Sequence, residues 1–177
     1  MRAPVAIFGI GNRSRGDDAA GPLLVEGLSR WLEEAGLETQ FECFEEYQLQ
    51  PEHALDLVGR RLALFVDARA GLPEPVRLEC LVPAGVAFAA STHELSPGET
   101  LAVYRAITGE DPPPAFVLGV RADSFELGDE PGEATRAAMR EAQRLLVGLC
   151  LAPDAARWRK AMNAPTPSLS PCAASPS

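Results

Sequence analysis

Apolar positions along the chain follow two spacings. Short and nearly continuous apolar runs are typical of strands that are covered on both faces, and alternation of apolar and polar residues is typical of strands with one covered face. The first pattern occurs at 4–11, 61–69 and 115–122, and the second at 39–47 and 76–84. The spacing predicts about five strands, with 76–84 nearer to the edge of the sheet.

Helical spacing of apolar residues fills the gaps between these strands. It occurs at 19–36, in a short segment at 51–60, at 97–109 and at 131–150. Ser96 and Glu99 form a capping box at the start of the third of these segments, with Pro97 at the first helical position. Strands that alternate with helices predict an α/β fold around a largely parallel sheet.

The composition changes after residue 152. The segment 153–177 is rich in Pro, Ala and Ser and contains few large apolar residues, so burial cannot offset its ordering entropy. We therefore predict one α/β domain at 1–152, followed by a mobile tail at 153–177.

Overall composition favours a soluble globular protein. The 177 residues are 46% hydrophobic and 23% charged, and the formal net charge of −9 makes nucleic acid an unfavourable partner. No 18-residue apolar run and no signal-peptide pattern is present, so we expect no membrane partner and a cytoplasmic location. Four scattered cysteines, without C-x-x-C pairing, are expected to be reduced and mostly buried thiols.

The loop after the first strand has an unusual charge pattern. Gly11 and Gly16 have the spacing of a phosphate-binding loop, but Asp17 and Asp18 follow where that loop has Lys and then Ser or Thr. Glycines allow a tight turn, and the two carboxylates favour a cation over a phosphate. Ser14 replaces the third glycine of the dinucleotide fingerprint, which makes nicotinamide binding a weak alternative.

Polar residues after three strands are candidates for one site. Asp17 and Asp18 follow the first strand, Asp67 ends the third, and His93 lies in the loop after the fourth. Ligands of open α/β sheets bind at the carboxyl ends of the strands, so the three loops should meet at one edge. Two carboxylates and an imidazole suit a divalent metal bound by nitrogen and oxygen ligands.

Each residue also has a structural interpretation. An Asp before a helix is often an N-cap, Asp67 fits a turn at a strand end, and His93 fits a loop residue without a special task. His53, on a short polar helix, is expected to be solvated. No G-x-S-x-G motif occurs, and a Cys–His pair assembled in space stays open as an alternative.

Four stretches together resemble a known family. "GIGNRSRGDDAAGPLLVEGL", "LFVDAR", "STHELSP" and "VLGVRADSFELG" occur in the order and approximate spacing of the hydrogenase maturation endopeptidases, which process the large subunit of nickel–iron hydrogenases. The resemblance covers residues 3–151. It implies a compact α/β fold with a twisted sheet flanked by helices on both faces.

The resemblance also implies an activity and a site. The expected reaction is removal of the C-terminal extension from a nickel–iron hydrogenase large-subunit precursor after nickel insertion. Asp18, Asp67 and His93 match the family's metal-coordinating positions and are the expected catalytic residues, and Asp17 becomes the candidate for a cap or supporting role. The metal would be the nickel of the precursor, with no permanent organic cofactor, and we expect the protein to act as a monomer.

Two alternatives remain at this point. One is a hydrolase with its own bound metal, and the other is a non-catalytic module that delivers nickel. Arg13 and Arg15 stand where family members often carry apolar residues, which leaves the fit of the substrate open.

Overall fold

Five strands form a single sheet. The computed structural model describes residues 2–84 and 95–162. Its strands are β1 (Val5–Ile10), β2 (Phe41–Glu46), β3 (Leu62–Ala70), β4 (Val76–Leu81) and β5 (Ala115–Ala122). Their order is β2-β1-β3-β5-β4, in which only the β4–β5 pair is antiparallel. The predicted five strands and largely parallel sheet are confirmed, with β4 at one edge.

Helices cover both faces of this sheet. They are α1 (Ala20–Glu34), α2 (Pro97–Thr108), α3 (Glu133–Leu151) and α4 (Ala155–Ala161), with short 3₁₀ helices at Gly16–Ala19 and Pro51–Leu57. The predicted capping box starts α2, because the Ser96 hydroxyl accepts from the Glu99 N–H and the Glu99 carboxylate accepts from the Ser96 N–H.

Alternate residues of the strands build two separate hydrophobic clusters. In β1, Val5 and Ile7 pack on the face covered by α1 and α3, whereas Ala6 and Phe8 pack on the face covered by α2 and the second 3₁₀ helix. Because successive side chains of a strand point to opposite faces, β1, which is buried except at Ile10, supplies both clusters. The predicted α/β fold with helices on both faces is thereby confirmed.

The predicted start of a mobile tail at residue 153 is wrong for the first ten residues. Helix α4 occupies Ala155–Ala161, and Asp154 caps it by accepting from the N–H groups of Ala156 and Arg157. Trp158 is 1% exposed, stacks edge-on against Phe116 at 5.3 Å and donates from Nε1 to a backbone carbonyl of α3. Ala155, Ala161 and Met162 also pack against the core beside Trp158. Residues 163–177 lie outside the described part.

Candidate functional site

The loop after β1 is built on close backbone contact. Gly11 has φ +138°, and a Cβ atom there would lie 2.0 Å from the carbonyl oxygen of Asp18. A Cβ at Gly21 would lie 2.3 Å from the carbonyl oxygen of Ile10. The glycines therefore let the loop and the start of α1 lie directly against the end of β1, which brings Asp18 to the carboxyl end of the sheet.

Asp18 is half-buried and held by the loop. Its Oδ2 accepts from the backbone N–H of Asn12 at 2.8 Å. This bond ties the carboxylate across the loop that joins β1 to the first 3₁₀ helix.

Asp67 lies on β3, level with the last residue of β1. It is in register with Ile10 on one side and with Gly119 on the other. The prediction that the third strand ends at Asp67 is wrong, because pairing with β5 continues to Ala70. The carboxylate nevertheless lies where β1 stops, on the face that carries Phe65 and α2.

Asp18 and Asp67 line the same cleft. The cleft has a volume of about 560 Å³ and lies at the carboxyl end of the parallel strands. Its wall also includes Tyr47 and Leu49, which follow β2, and the start of α2. An antiparallel bridge, in which Leu95 N–H donates to the Leu49 carbonyl, joins these two sides of the cleft. Of the three segments expected to meet at one edge, those that carry Asp18 and Asp67 thus line one cleft.

His93 lies outside the described residues. Leu95 and Ser96, the second and third residues after it in the sequence, line the cleft. Within residues 2–84 and 95–162, no group of three or more His, Cys, Asp or Glu side chains is arranged to hold a metal ion. The described site thus contains two of the three predicted ligands, and the ligand set stays a prediction.

Asp17 anchors a different loop from the one that carries it. Its Oδ2 accepts from the N–H groups of Asp123 and Ser124 at 2.7 and 2.9 Å, and its Oδ1 accepts from Gly132 at 2.7 Å. Gly132 is the N-cap of α3, so Asp17 fastens the β5–α3 connection. Burial favours the neutral carboxyl, but these backbone donors outweigh it and lower the pKa of Asp17.

Two arginines line the cleft but were not predicted as site residues from the sequence. Arg15 lines the cleft, and its Nε donates to the Phe125 carbonyl at 2.9 Å. Arg69 also lines the cleft, and its Nη1 donates to the Glu79 carboxylate at 2.7 Å. For Arg69, a sequence signal was available. It follows Asp67 by two residues, which puts both side chains on one face of β3.

His53 does not have the solvated position predicted for it. Its side chain is 13% exposed, its Nδ1 accepts from the Gln50 N–H at 2.7 Å, and its Nε2 lies 3.2 Å from the Glu46 carboxylate. The ring caps the second 3₁₀ helix and packs against the end of β2. The prediction failed because the pattern of a seven-residue helix did not reveal this cap.

The described cysteines do not favour a thiol nucleophile. Cys43, Cys80 and Cys150 are free, as predicted, although Cys80 is exposed. Burial raises the pKa of Cys43 and of Cys150 to about 12, so both remain thiols at neutral pH. None of the three lines the cleft with Asp18 and Asp67.

Several solved structures with a similar fold are hydrogenase maturation proteases. A [NiFe] hydrogenase maturation protease, HycI, from Thermococcus kodakarensis KOD1 is 25% identical over 85% of this chain and 92% of its own, with a TM-score of 0.59. The hydrogenase maturating endopeptidase HybD from E. coli is 22% identical over 84% of this chain and 92% of its own, with a TM-score of 0.60. A hydrogenase 2 maturation peptidase from a Thaumarchaeota archaeon is 23% identical over 87% of this chain and all of its own, with a TM-score of 0.58.

The chain has the fold of the hydrogenase maturation proteases. The resemblance predicted from the four sequence stretches is thereby confirmed, and the endopeptidase neighbours support a protease role. No protein-family model matches the sequence. No curated protein matches it significantly. Within the part of the chain that the structure describes, none of the helices is long and apolar enough to cross a membrane.

Proposed function

We propose that this protein is an endopeptidase that removes the C-terminal extension of a nickel–iron hydrogenase large-subunit precursor after nickel insertion. The observation that carries the proposal is the common cleft of Asp18 and Asp67, at the carboxyl end of the sheet. The fold shared with hydrogenase maturation proteases supports the same reaction class. Two carboxylates in one cleft suit the binding of a cation that the precursor carries.

Nickel recognition is the second part of the proposal. Asp18, Asp67 and His93 complete the coordination of the precursor's nickel when the precursor docks, so the ion is part of the substrate. The nickel ion brings positive charge to a cleft that contains two carboxylates, so the nickel-loaded precursor gains an electrostatic attraction that the nickel-free precursor lacks. The nickel-free precursor therefore gains no differential affinity, which makes docking a test of metal insertion.

Peptide hydrolysis needs a group that polarises the carbonyl and a base for the proton of the attacking water. The cleft offers the client's nickel and the two carboxylates for these tasks. Docking through nickel would also fix the position of the scissile bond relative to Asp18 and Asp67.

The setting of the reaction follows from the same proposal. The protein acts as a monomer in the cytoplasm, where the precursor is processed. Its net charge of −9 suits a client surface that carries basic residues around the docking face.

The test combines purified protein with nickel-loaded or nickel-free precursor and measures the mass of the precursor. We expect cleavage of the nickel-loaded form only. Asp18→Asn, Asp67→Asn and His93→Ala should each abolish cleavage while the thermal unfolding midpoint stays close to that of the wild type. Asp111→Asn is the matched control, because Asp111 has an 86% exposed side chain and pairs with Arg105.

The same experiment separates the two alternatives. A hydrolase with its own metal would be purified with stoichiometric metal and would cleave small substrates without nickel in the precursor. A nickel-delivery module would bind nickel and leave the precursor uncleaved. Normal cleavage by His93→Ala would show that the proposed role of His93 is wrong.

A further inference from the structure

Arg69 lines the same cleft as the two aspartates. It follows Asp67 by two residues on β3, so the two side chains lie on one face, with Cα atoms roughly 7 Å apart along the strand. Both residues line the cleft and both are half-buried. The Arg69 side chain therefore shares a cleft with the carboxylates assigned to the precursor's nickel.

The Arg69 side chain crosses a neighbouring strand to reach its partner. Glu79 lies on β4, and β5 runs between β3 and β4, so the bond of 2.7 Å from Arg69 Nη1 to Glu79 spans β5. The crossing passes over Gly119, where a Cβ atom would lie only 3.0 Å from Arg69 Cδ. The absence of a side chain at Gly119 therefore makes room for the arginine to lie across the sheet.

This arrangement holds the guanidinium before any substrate binds. A guanidinium carries five N–H donors, and the bond to Glu79 uses Nη1, which leaves further donors for an oxygen in the cleft. Donors that are already fixed stabilise developing negative charge without a reorganisation cost. Arg15, the other arginine of the cleft, is exposed and bonds to a loop carbonyl.

We propose that Arg69 is a catalytic residue that donates a hydrogen bond to the carbonyl oxygen of the scissile peptide bond. This inference rests on the proposed endopeptidase function. Water adds to the carbonyl carbon, and the π electron pair moves onto the oxygen, where Arg69 stabilises the negative charge. The electron pair on the oxygen then re-forms the C=O bond as the C–N bond breaks, the C–N pair stays on nitrogen, and the nitrogen takes the proton that the water lost. Arg69 donates hydrogen bonds throughout and gives up no proton.

The decisive variant is Arg69→Met, which keeps much of the side-chain length and removes every donor. Removal of one donor to an oxyanion slows enzymes by about 10²–10³-fold. We therefore expect single-turnover cleavage of nickel-loaded precursor to slow by about that factor, with the dissociation constant for the precursor within about threefold of the wild type.

Arg77→Met is the matched control. Arg77 lies on β4 with a side chain 40% exposed and pairs with Glu74, whereas Arg69 is 42% exposed and pairs with Glu79. Arg77 does not line the cleft, so its loss should leave the cleavage rate unchanged. Arg69→Lys, which keeps the charge and loses the planar fork, should retain more activity than Arg69→Met and guards against a folding defect.

The outcomes separate this inference from the proposed function. Wild-type cleavage with a slow Arg69→Met that binds normally supports both. Normal cleavage by Arg69→Met overturns the role of Arg69 alone, and so does a variant whose loss appears only as weaker binding. Failure of the wild-type protein to cleave nickel-loaded precursor overturns the proposed function, and this inference with it.

Discussion

Replacement of Asp17 by Asn tests whether this buried carboxylate fastens the β5–α3 connection. Asp17 is 1% exposed and accepts three backbone N–H groups, two at Oδ2 and one at Oδ1. An amide has one oxygen, so at least one backbone donor must face the NH₂ group. The remaining hydrogen bonds are then made to a neutral acceptor instead of a charged one. A hydrogen bond to a charged group contributes about 1.5–3 kcal/mol, which gives an expected loss of about 3 kcal/mol in the free energy of unfolding.

Urea unfolding at pH 7 measures this loss directly. For a chain of this size, thermal unfolding should show a midpoint lowered by about 6–12 °C. Asp18→Asn is the matched control, because Asp18 accepts one backbone N–H that an amide oxygen can still accept, and its loss should stay below about 1 kcal/mol. A change of less than 1 kcal/mol in Asp17→Asn would refute the anchoring role.

The pH dependence of the free energy of unfolding is a second test of the role of Asp17. The pKa of Asp17 is lowered in the folded protein despite its burial, because the backbone donors favour the charged form. Its contribution is therefore complete above the unfolded pKa of about 3.9, and it is lost as the pH falls through the folded pKa. The stability difference between wild type and Asp17→Asn should shrink below about pH 4, and a constant difference would contradict this account.

Three further predictions concern the loop, the last helix and the thiols. Gly11→Ala introduces a Cβ at 2.0 Å from the Asp18 carbonyl oxygen and should lower the free energy of unfolding by about 3 kcal/mol, whereas Gly148→Ala, which meets no atom within 4 Å, should not lower it. Truncation after residue 152 removes Trp158 from the core and should lower the free energy of unfolding by about 3–5 kcal/mol, as urea unfolding will measure. A maleimide at pH 8 should label the exposed Cys80 in the folded protein and leave Cys43 unlabelled, as peptide mass mapping will show, because burial raises the Cys43 pKa to about 12. Equal labelling of both thiols would contradict that burial.

Much of the sheet was predictable because burial imposes a pattern on single strands. A run such as Val5–Ile10 is apolar on both faces only when helices cover both faces, and the capping box of Ser96 is a local signal that needs no tertiary contact. The position of Asp18 after β1 and of Asp67 level with its end followed from the same parallel topology.

The features that sequence analysis missed depend on contacts between distant segments. Helix α4 has a single large buried side chain, Trp158, so its sequence alone resembles a polar tail. The path of the Arg69 side chain to Glu79 depends on β5, which lies between them and carries Gly119 next to Arg69 Cδ. Likewise, the donors that Asp17 satisfies lie more than 100 residues away in the chain.

The proposed function requires that the protein binds the nickel ion of the hydrogenase precursor. X-ray absorption at the nickel edge, recorded on nickel-loaded precursor before and immediately after addition of one equivalent of protein, tests it most directly. We predict additional oxygen and nitrogen neighbours around nickel in the complex, and fewer of them with Asp67→Asn. A nickel coordination shell that does not change when the complex forms would contradict the account.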